Sequence, residues 1–135
     1  MIKGEKSNKG PSIKPDLYKK TYNITLKGQP AQLTMNVWDT PGGDQFAHMR
    51  DLDYEGADAC IMVYCIDKES TFKEMEGLKE LAEKFCNPLF FLVGNKVDLD
   101  ASGDRLVEKS KGRDLKKDLG LTDFVETNAN AADHV

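Results

Sequence analysis

The stretch Leu89-Phe90-Phe91-Leu92-Val93-Gly94-Asn95-Lys96-Val97-Asp98 decides the fold class of this 135-residue chain. Five consecutive apolar residues are typical of a parallel strand that is covered on both faces. Polar residues follow directly after Gly94. A buried strand therefore delivers Asn95, Lys96 and Asp98 to one edge of a sheet, as α/β proteins do with their binding loops.

The chemistry of this loop favours a purine. A carboxylate such as Asp98 can accept two parallel N–H bonds from the Watson–Crick edge of guanine, and adenine lacks that donor pair. Asn95 is suited to tie neighbouring loops together, and the stem of Lys96 is suited to cover the face of the ring. An ordinary polar turn after an apolar strand has the same residue types, so both interpretations stay open.

A second polar segment follows an alternating strand. Residues 31–37 alternate apolar and polar side chains, which predicts a half-buried strand. It runs into Trp38-Asp39-Thr40-Pro41-Gly42-Gly43. Asp39 is placed to hold a magnesium-bound water, and Gly42 lets a backbone N–H approach a terminal phosphate. A Pro-Gly turn with a solvated aspartate is the alternative.

Changes in the spacing of apolar residues along the chain predict the remaining strands. Residues 22–26 alternate, and Lys27-Gly28-Gln29-Pro30 then turns the chain into the strand at 31–38 as an antiparallel hairpin. Residues 59–66 form a continuous apolar run like that of 89–93, as expected for parallel strands. Residues 123–126 predict a last short strand. It leads into Thr127-Asn128-Ala129, where a backbone amide beside small side chains is suited to contact a purine carbonyl.

Two helices are predicted between these strands. Thr71 and Glu74 form a capping box for the first, whose apolar face comprises Phe72, Met75, Leu78, Ala82 and Phe85. The second is expected over residues 106–119, with Gly120 suited to its end. Its basic run at 109–117 is interpreted as a solvated helix face.

Taken together, the three polar segments resemble the Ras superfamily of small GTPases, most closely its Rab-like and Ras-like branches. The resemblance covers about residues 11–129. The matched segments are Trp38-Asp39-Thr40-Pro41-Gly42, Tyr54-Glu55-Gly56-Ala57-Asp58, Val63-Tyr64, Glu69-Ser70, Gly94-Asn95-Lys96-Val97-Asp98-Leu99 and Glu126-Thr127-Asn128-Ala129. It implies an α/β fold of the P-loop-NTPase type, a doubly wound and mostly parallel sheet with one antiparallel hairpin strand.

The resemblance also implies ligands and site residues. GTP or GDP with Mg²⁺ are the expected ligands. Ser12 stands where the family usually has threonine, so its hydroxyl joins Asp39 as a candidate metal contact. The nucleotide contacts are expected from Gly42, Asn95, Lys96, Asp98, Asn128 and Ala129.

One family motif is absent from this sequence. A phosphate-cradling loop needs Gly-x-x-x-x-Gly-Lys followed by Ser or Thr, and no Gly-Lys dipeptide occurs here. Residues 1–10 are interpreted as a flexible polar N-terminus, and residues 11–135 as an incomplete small-GTPase-like domain without its first central strand. A separate polypeptide, an exchange between two copies, a rearranged sheet or a missing part of the natural protein are the alternatives for that gap.

The catalytic machinery of the family is also incomplete. Small GTPases place a glutamine directly after the switch glycine to align the attacking water, and Gly43 stands there. No catalytic residue is assigned, and enzymatic activity stays open with slow hydrolysis expected. A guanine-nucleotide switch in signalling or vesicle trafficking and an interaction protein without productive nucleotide binding, a pseudo-GTPase, are the two hypotheses.

Composition and charge limit the classes of partner that this chain is expected to bind. The net charge of -4 argues against nucleic acid, and effector or regulator proteins are expected instead. Strand complementation or a domain-swapped homodimer is a further possibility. Three cysteines without metal spacing predict reduced thiols and a cytoplasmic location. Neither a long apolar segment nor a lipidation cysteine occurs, so no membrane anchor is expected.

Overall fold

The computed structural model describes residues 16–40 and 54–129. These two stretches belong to two different compact units of the chain. The candidate residues Ser12, Gly42 and Gly43 lie outside the described residues, as does the predicted N-terminal segment 1–10. The prediction of one domain over residues 11–135 stays a prediction.

The first unit contains an antiparallel hairpin of β1 (Asp16–Leu26) and β2 (Gln29–Asp39). Both residues of its turn have positive φ, 50° at Lys27 and 78° at Gly28, which matches the twist of a two-residue hairpin turn. The turn is shorter than predicted, because Gln29 and Pro30 already pair with Leu26 and Thr25.

The predicted burial of one face of β2 is wrong. Leu33, Met35 and Val37 alternate as expected, yet they are 46%, 41% and 36% exposed. Among the described residues of this unit the hairpin has only two strands, and pairing within one layer does not cover either face. The alternation therefore predicted the strand correctly but not its surroundings.

The second unit is a three-stranded parallel sheet with helices. Its strands are β3 (Ala59–Cys65), β4 (Leu89–Asn95) and β5 (Asp123–Glu126), in the order β3-β4-β5. Helices α1 (Glu69–Lys73) and α2 (Met75–Glu83) pack on β3, and α3 (Lys109–Asp118) packs on β4 and β5. The prediction of an α/β fold with a mostly parallel sheet and one antiparallel hairpin is confirmed.

The helices cover one face of this sheet. That face supplies much of the core, with Met62, Tyr64, Phe90 and Leu92 at most 6% exposed. On the alternate positions, four apolar side chains are about half exposed: Ile61, Val63, Leu89 and Val125. Within the described residues, β3 pairs only with β4 and β2 only with β1, so each has one unpaired edge there.

The predicted capping box is wrong. Lys68 precedes α1 as its N-cap, and Thr71 lies inside that helix. The hydroxyl of Thr71 donates to the carbonyl of Lys68 at 2.7 Å and accepts the N–H of Cys65 at 3.0 Å, so it links the helix to the end of β3. Glu74 lies between α1 and α2, where the predicted single helix divides in two.

Helix α3 begins three residues later than predicted. The N–H groups of Leu106 and Val107 donate to the carbonyl of Ile66 at 2.8 and 2.9 Å, which holds both residues outside the helix. The end is as predicted, because Gly120 has a φ of 63° and the N–H of Leu121 donates to the carbonyl of Lys116. None of the helices in residues 16–40 and 54–129 combines the length and apolar character that a bilayer span requires.

Helix α3 approaches the sheet closely through Gly112. A Cβ atom at this position would lie 2.8 Å from the hydroxyl oxygen of Tyr64 and 2.7 Å from Cε2 of Phe124. Tyr64 is fully buried, and its ring is 6.5 Å from the ring of Phe124. Only glycine lets the backbone of α3 reach this distance from both aromatic rings.

Gly112→Ala is expected to destabilise the protein by about 1 to 3 kcal/mol, because the new methyl group overpacks the contact with Tyr64 and Phe124. Gly77→Ala is the matched control, since Gly77 also lies in a helix and a Cβ there would meet nothing within 4 Å. The free energy of unfolding of this control should rise by about 0.5 to 1 kcal/mol, because alanine has a higher helix propensity than glycine. Urea unfolding followed by circular dichroism measures both, and equal effects would contradict the close contact.

Burial raises the pKa of Tyr64 to about 12, with a smaller contribution from the carboxylate of Glu126. Tyrosine is neutral when protonated, so a raised folded pKa stabilises the fold fully below pH about 10 and loses this contribution as pH rises towards 12. The unfolding free energy of the wild type should therefore fall faster than that of Tyr64→Phe between these pH values. Parallel urea titrations would reveal this; identical pH profiles would contradict the burial of the hydroxyl.

Candidate functional site

The site residues predicted in the second unit lie at the carboxyl ends of β4 and β5. Asn95 is the last residue of β4, and Lys96 follows with a positive φ of 68°. Asp98 lies in a short 3-10 helix, Val97–Asp100. Asn128 and Ala129 follow the end of β5 by two and three residues. Because β4 and β5 are parallel neighbours, their ends bring these residues to the same edge of the sheet.

Hydrogen bonds join the two loops. The N–H of Thr127 donates to the carbonyl of Gly94 at 2.8 Å, and the N–H of Val97 donates to the carbonyl of Thr127 at 3.1 Å. The side-chain oxygen Oδ1 of Asn95 accepts the N–H of Ala129 at 3.2 Å. The predicted role of Asn95 as a tie between loops agrees with these contacts.

The same bond bears on the predicted role of Ala129. A backbone amide of the segment 127–129 is the predicted contact to a purine carbonyl, and the amide of Ala129 donates to Asn95 in this structure. A guanine carbonyl would compete with Asn95 Oδ1 for this one donor, because a backbone amide carries a single hydrogen.

Asp98 keeps its carboxylate available. The residue is exposed, and it makes no hydrogen bond or ion pair to another residue within the described ranges. A carboxylate accepts up to four hydrogen bonds. The donor pair of a guanine base therefore fits the chemistry of Asp98 without displacing a protein partner.

Lys96 is oriented by a residue that the sequence analysis missed. Its Nζ lies 3.0 Å from Oδ2 of Asp67, and this hydrogen bond is the main cause of the raised pKa of Lys96. Asp67 lies two residues beyond the end of β3. Because β3 and β4 are parallel, their ends meet at one edge, and this topology is the only signal that could have found a pair 29 positions apart.

Ion pairs of Arg105 support the segment after β4, which contains the 3-10 helix Val97–Asp100. Arg105 donates to both carboxylate oxygens of Glu126, at 2.8 and 3.2 Å, and to both of Asp100, at 2.8 and 3.2 Å. The side chains of Arg105 and Glu126 are only 9% and 4% exposed. These bonds raise the pKa of Arg105 and lower that of Asp100. Arg105 therefore fastens the 3-10 helix to the end of β5.

Arg105→Gln is expected to destabilise the protein by about 3 kcal/mol, because the buried carboxylate of Glu126 loses its charged hydrogen-bond donors and keeps only Lys109, 3.8 Å away, as a nearby cation. Adding Glu126→Gln should restore part of that loss by removing the unpaired charge. A double-mutant cycle measured by urea unfolding tests this. Additive losses from the two substitutions would show that the pair is not coupled.

The candidate metal and phosphate residues lie in the other unit or outside the described residues. Asp39 ends β2, where it pairs with Asp16 of β1. Ser12 and Gly42 lie outside the described residues. No three or more His, Cys, Asp or Glu side chains group closely enough in residues 16–40 and 54–129 to hold a metal ion. The fit of Mg²⁺ to Asp39 and Ser12 therefore stays a prediction.

Comparison with known proteins agrees with the motifs and the fold. The sequence profile described as "Ras family" matches residues 6–135. The Ras-related protein Rab7 of Glycine max is 33% identical over 103 residues, which cover 72% of this chain and 50% of that protein. The Ras-related protein RABG3e of Arabidopsis thaliana is 29% identical over 108 residues, which cover 76% and 52%.

The chain therefore belongs to the Ras family of small GTPases. Its similarity to Rab7 proteins, including that of Pisum sativum at 30% identity over 102 residues, makes it a Rab-like member. The chain spans about half the length of the curated relatives that it matches.

Proposed function

We propose that this chain recognises the guanine base of GDP or GTP as part of a small-GTPase switch. The observation that carries the proposal is the exposed carboxylate of Asp98, which makes no hydrogen bond or ion pair in the described part of the chain. Asn95 holds the loop that carries it against Ala129. Membership of the Ras family supports the same ligand class.

Each residue of this site has a distinct task in the proposal. Asp98 accepts the two N–H donors of the guanine edge, and the aliphatic stem of Lys96 covers the ring. Asp67 holds the Lys96 ammonium at 3.0 Å and so fixes the position of the stem. Asn128 and Ala129 border the purine carbonyl. Hydrogen bonds to the charged Asp98 contribute about 1.5 to 3 kcal/mol each and provide most of the base selectivity.

The proposal has fewer contacts for the phosphates of the nucleotide than for its base. Gly42 would offer its N–H to the terminal phosphate, and Asp39 and Ser12 would hold Mg²⁺, which neutralises phosphate charge when bound. The residues of this sequence include no Gly-Lys-Ser or Gly-Lys-Thr, so the proposal assigns them no phosphate-cradling loop. Gly43 has no side chain to orient water, so hydrolysis is slow.

The cellular role follows from the relatives. We propose a role in vesicle trafficking because the similar proteins are Rab-related, and effector or regulator proteins as partners. A cytoplasmic location is proposed on the three cysteines, which are all free thiols.

A second function is favoured by a specific observation. Position 43 is glycine, where the family has the glutamine that aligns the attacking water. This departure favours a pseudo-GTPase that binds partners without hydrolysing nucleotide productively. The unpaired edges of β2 and β3 within the described residues favour strand complementation by a partner or a second copy, and light scattering would measure a dimer directly.

Calorimetric titration of the chain with GDP and GTP in magnesium tests the nucleotide proposal. Asp98→Ala should lower the affinity about a hundredfold or more, because two hydrogen bonds to a charged acceptor are lost. Asp118→Ala is the matched control, since it removes an exposed aspartate of α3 outside this site and should leave binding unchanged.

Asp98→Asn makes the test specific for the base. Asparagine offers one donor and one acceptor, which suits xanthine, whose carbonyl replaces the 2-amino group of guanine. This variant should prefer xanthosine over guanosine diphosphate. If neither nucleotide binds the wild type, the pseudo-GTPase interpretation replaces the switch.

A further inference from the structure

A second surface of the molecule has no place in the nucleotide proposal. An open cavity of about 430 Å³ lies between α3 and β5, and its lining residues are Lys109, Arg113, Lys116, Phe124, Val125 and Glu126. The three cations recur at helical spacings of four and three, so they share one side of α3. Lys109 and Arg113 are exposed, as predicted for a solvated helix face, and together with Lys116 they line a concave part of the surface.

The charge that this cavity presents to solvent is positive. Glu126 is its only acidic lining residue, and that side chain is 4% exposed and bound by Arg105 from inside the fold. Lys116 donates to Asp123 at 3.1 Å, which is the main cause of the lowered pKa of Asp123. Arg113 has no ion pair within the described part of the chain. The chain as a whole carries a net charge of -4, so this basic cavity is a local exception.

The cavity runs along a free strand edge. Within the described residues, β5 pairs only with β4. Helix α3 runs antiparallel to β5, because Lys116 contacts Asp123 while Lys109 lies 3.8 Å from Glu126. Seven helical residues rise about 10 Å and three strand residues about the same, so the row of cations has the length of the strand beside it.

We propose that this cavity binds an extended acidic peptide segment of a partner protein. The segment adds to the free edge of β5 as a further strand, and its carboxylates contact Lys109 and Arg113. Alternate side chains of a strand are about 6 to 7 Å apart, and the helical rise from Lys109 to Arg113 is about 6 Å. Backbone pairing at a sheet edge supplies the affinity and the charge pattern supplies the specificity.

An extended peptide fits this surface better than a membrane or a nucleic acid. The cations form a row about 10 Å long beside unpaired backbone groups, and the remainder of the chain has an excess of negative charge. A peptide uses both the edge and the charges, whereas a lipid or phosphate surface uses only the charges. This inference does not depend on nucleotide binding.

Fluorescence anisotropy of a labelled Thr-Glu-Val-Glu-Val-Glu-Thr peptide with the full chain tests the proposal. Lys109→Gln with Arg113→Gln should weaken binding about tenfold, because two exposed but directional charge pairs are lost. The matched control is Lys111→Gln with Lys117→Gln, which removes the same charge from the same helix outside the cavity. It should change the affinity by less than about twofold, because salt screens the long-range attraction of charges outside the cavity.

Further peptides distinguish strand addition from simple charge attraction. A Thr-Gln-Val-Gln-Val-Gln-Thr peptide keeps the backbone but not the charges, so it should bind about tenfold more weakly or worse. Two acidic peptides are N-methylated, one on its odd-numbered amides and the other on its even-numbered amides. Only one of these two sets of N–H groups faces β5, so one peptide should lose binding and the other should keep it. Circular dichroism confirms that each protein variant is folded.

Three results would overturn the proposal. They are equal losses in both double variants, full binding by both N-methylated peptides, and binding of vesicles with phosphatidylserine or of single-stranded RNA in the absence of peptide binding. The first indicates unspecific charge attraction, the second excludes strand addition, and the third assigns the surface to another class of partner.

Discussion

The parallel pairing of β4 with a strand on each side is the constraint on which the candidate site depends. Phe91 to Gly94 have ladder partners in β3 and in β5 at once. Parallel strands end at the same edge, so this pairing alone brings the segments after β3, β4 and β5 together. Asp67, Lys96 and Ala129 are far apart in sequence and neighbours in space for this reason.

The contact between Tyr64 and Gly112 fixes the other half of the architecture. It sets how closely α3 approaches the sheet, because no side chain separates the helix backbone from the tyrosine hydroxyl. A Cβ at Gly94 would also lie 2.8 Å from that hydroxyl. One buried ring therefore determines both the position of the basic helix and the geometry of the residue directly before Asn95, so the core positions both functional surfaces.

The sequence predicted the elements of the second unit well because their signals are local. The apolar run at 89–93 and the glycine after α3 act within a few residues, and both predictions are confirmed. Long-range contacts were not accessible in the same way. Arg105 binds Glu126 across 21 positions, and no periodicity marks such a pair. The missed pairing of Lys96 with Asp67 has the same origin.

Errors at the ends of elements have a second physical cause. Thr71 has the right residue type for an N-cap, but the end of β3 offers its hydroxyl a competing donor, the N–H of Cys65. Leu106 and Val107 would suit the start of α3, yet the carbonyl of Ile66 holds their N–H groups. In both places a tertiary hydrogen bond outweighs a local preference that contributes about 1 kcal/mol.

The brevity of β5 has a consequence for the cooperativity of the site. This strand has four residues, and the segments around it supply the partners of Gly94, Asn95 and Arg105. Any local opening of β5 releases all three contacts together. The loop after β4 therefore stays ordered only as long as β5, the shortest strand of the sheet, remains paired. The amide hydrogens of the loops after β4 and β5 consequently exchange with solvent as one cooperative unit.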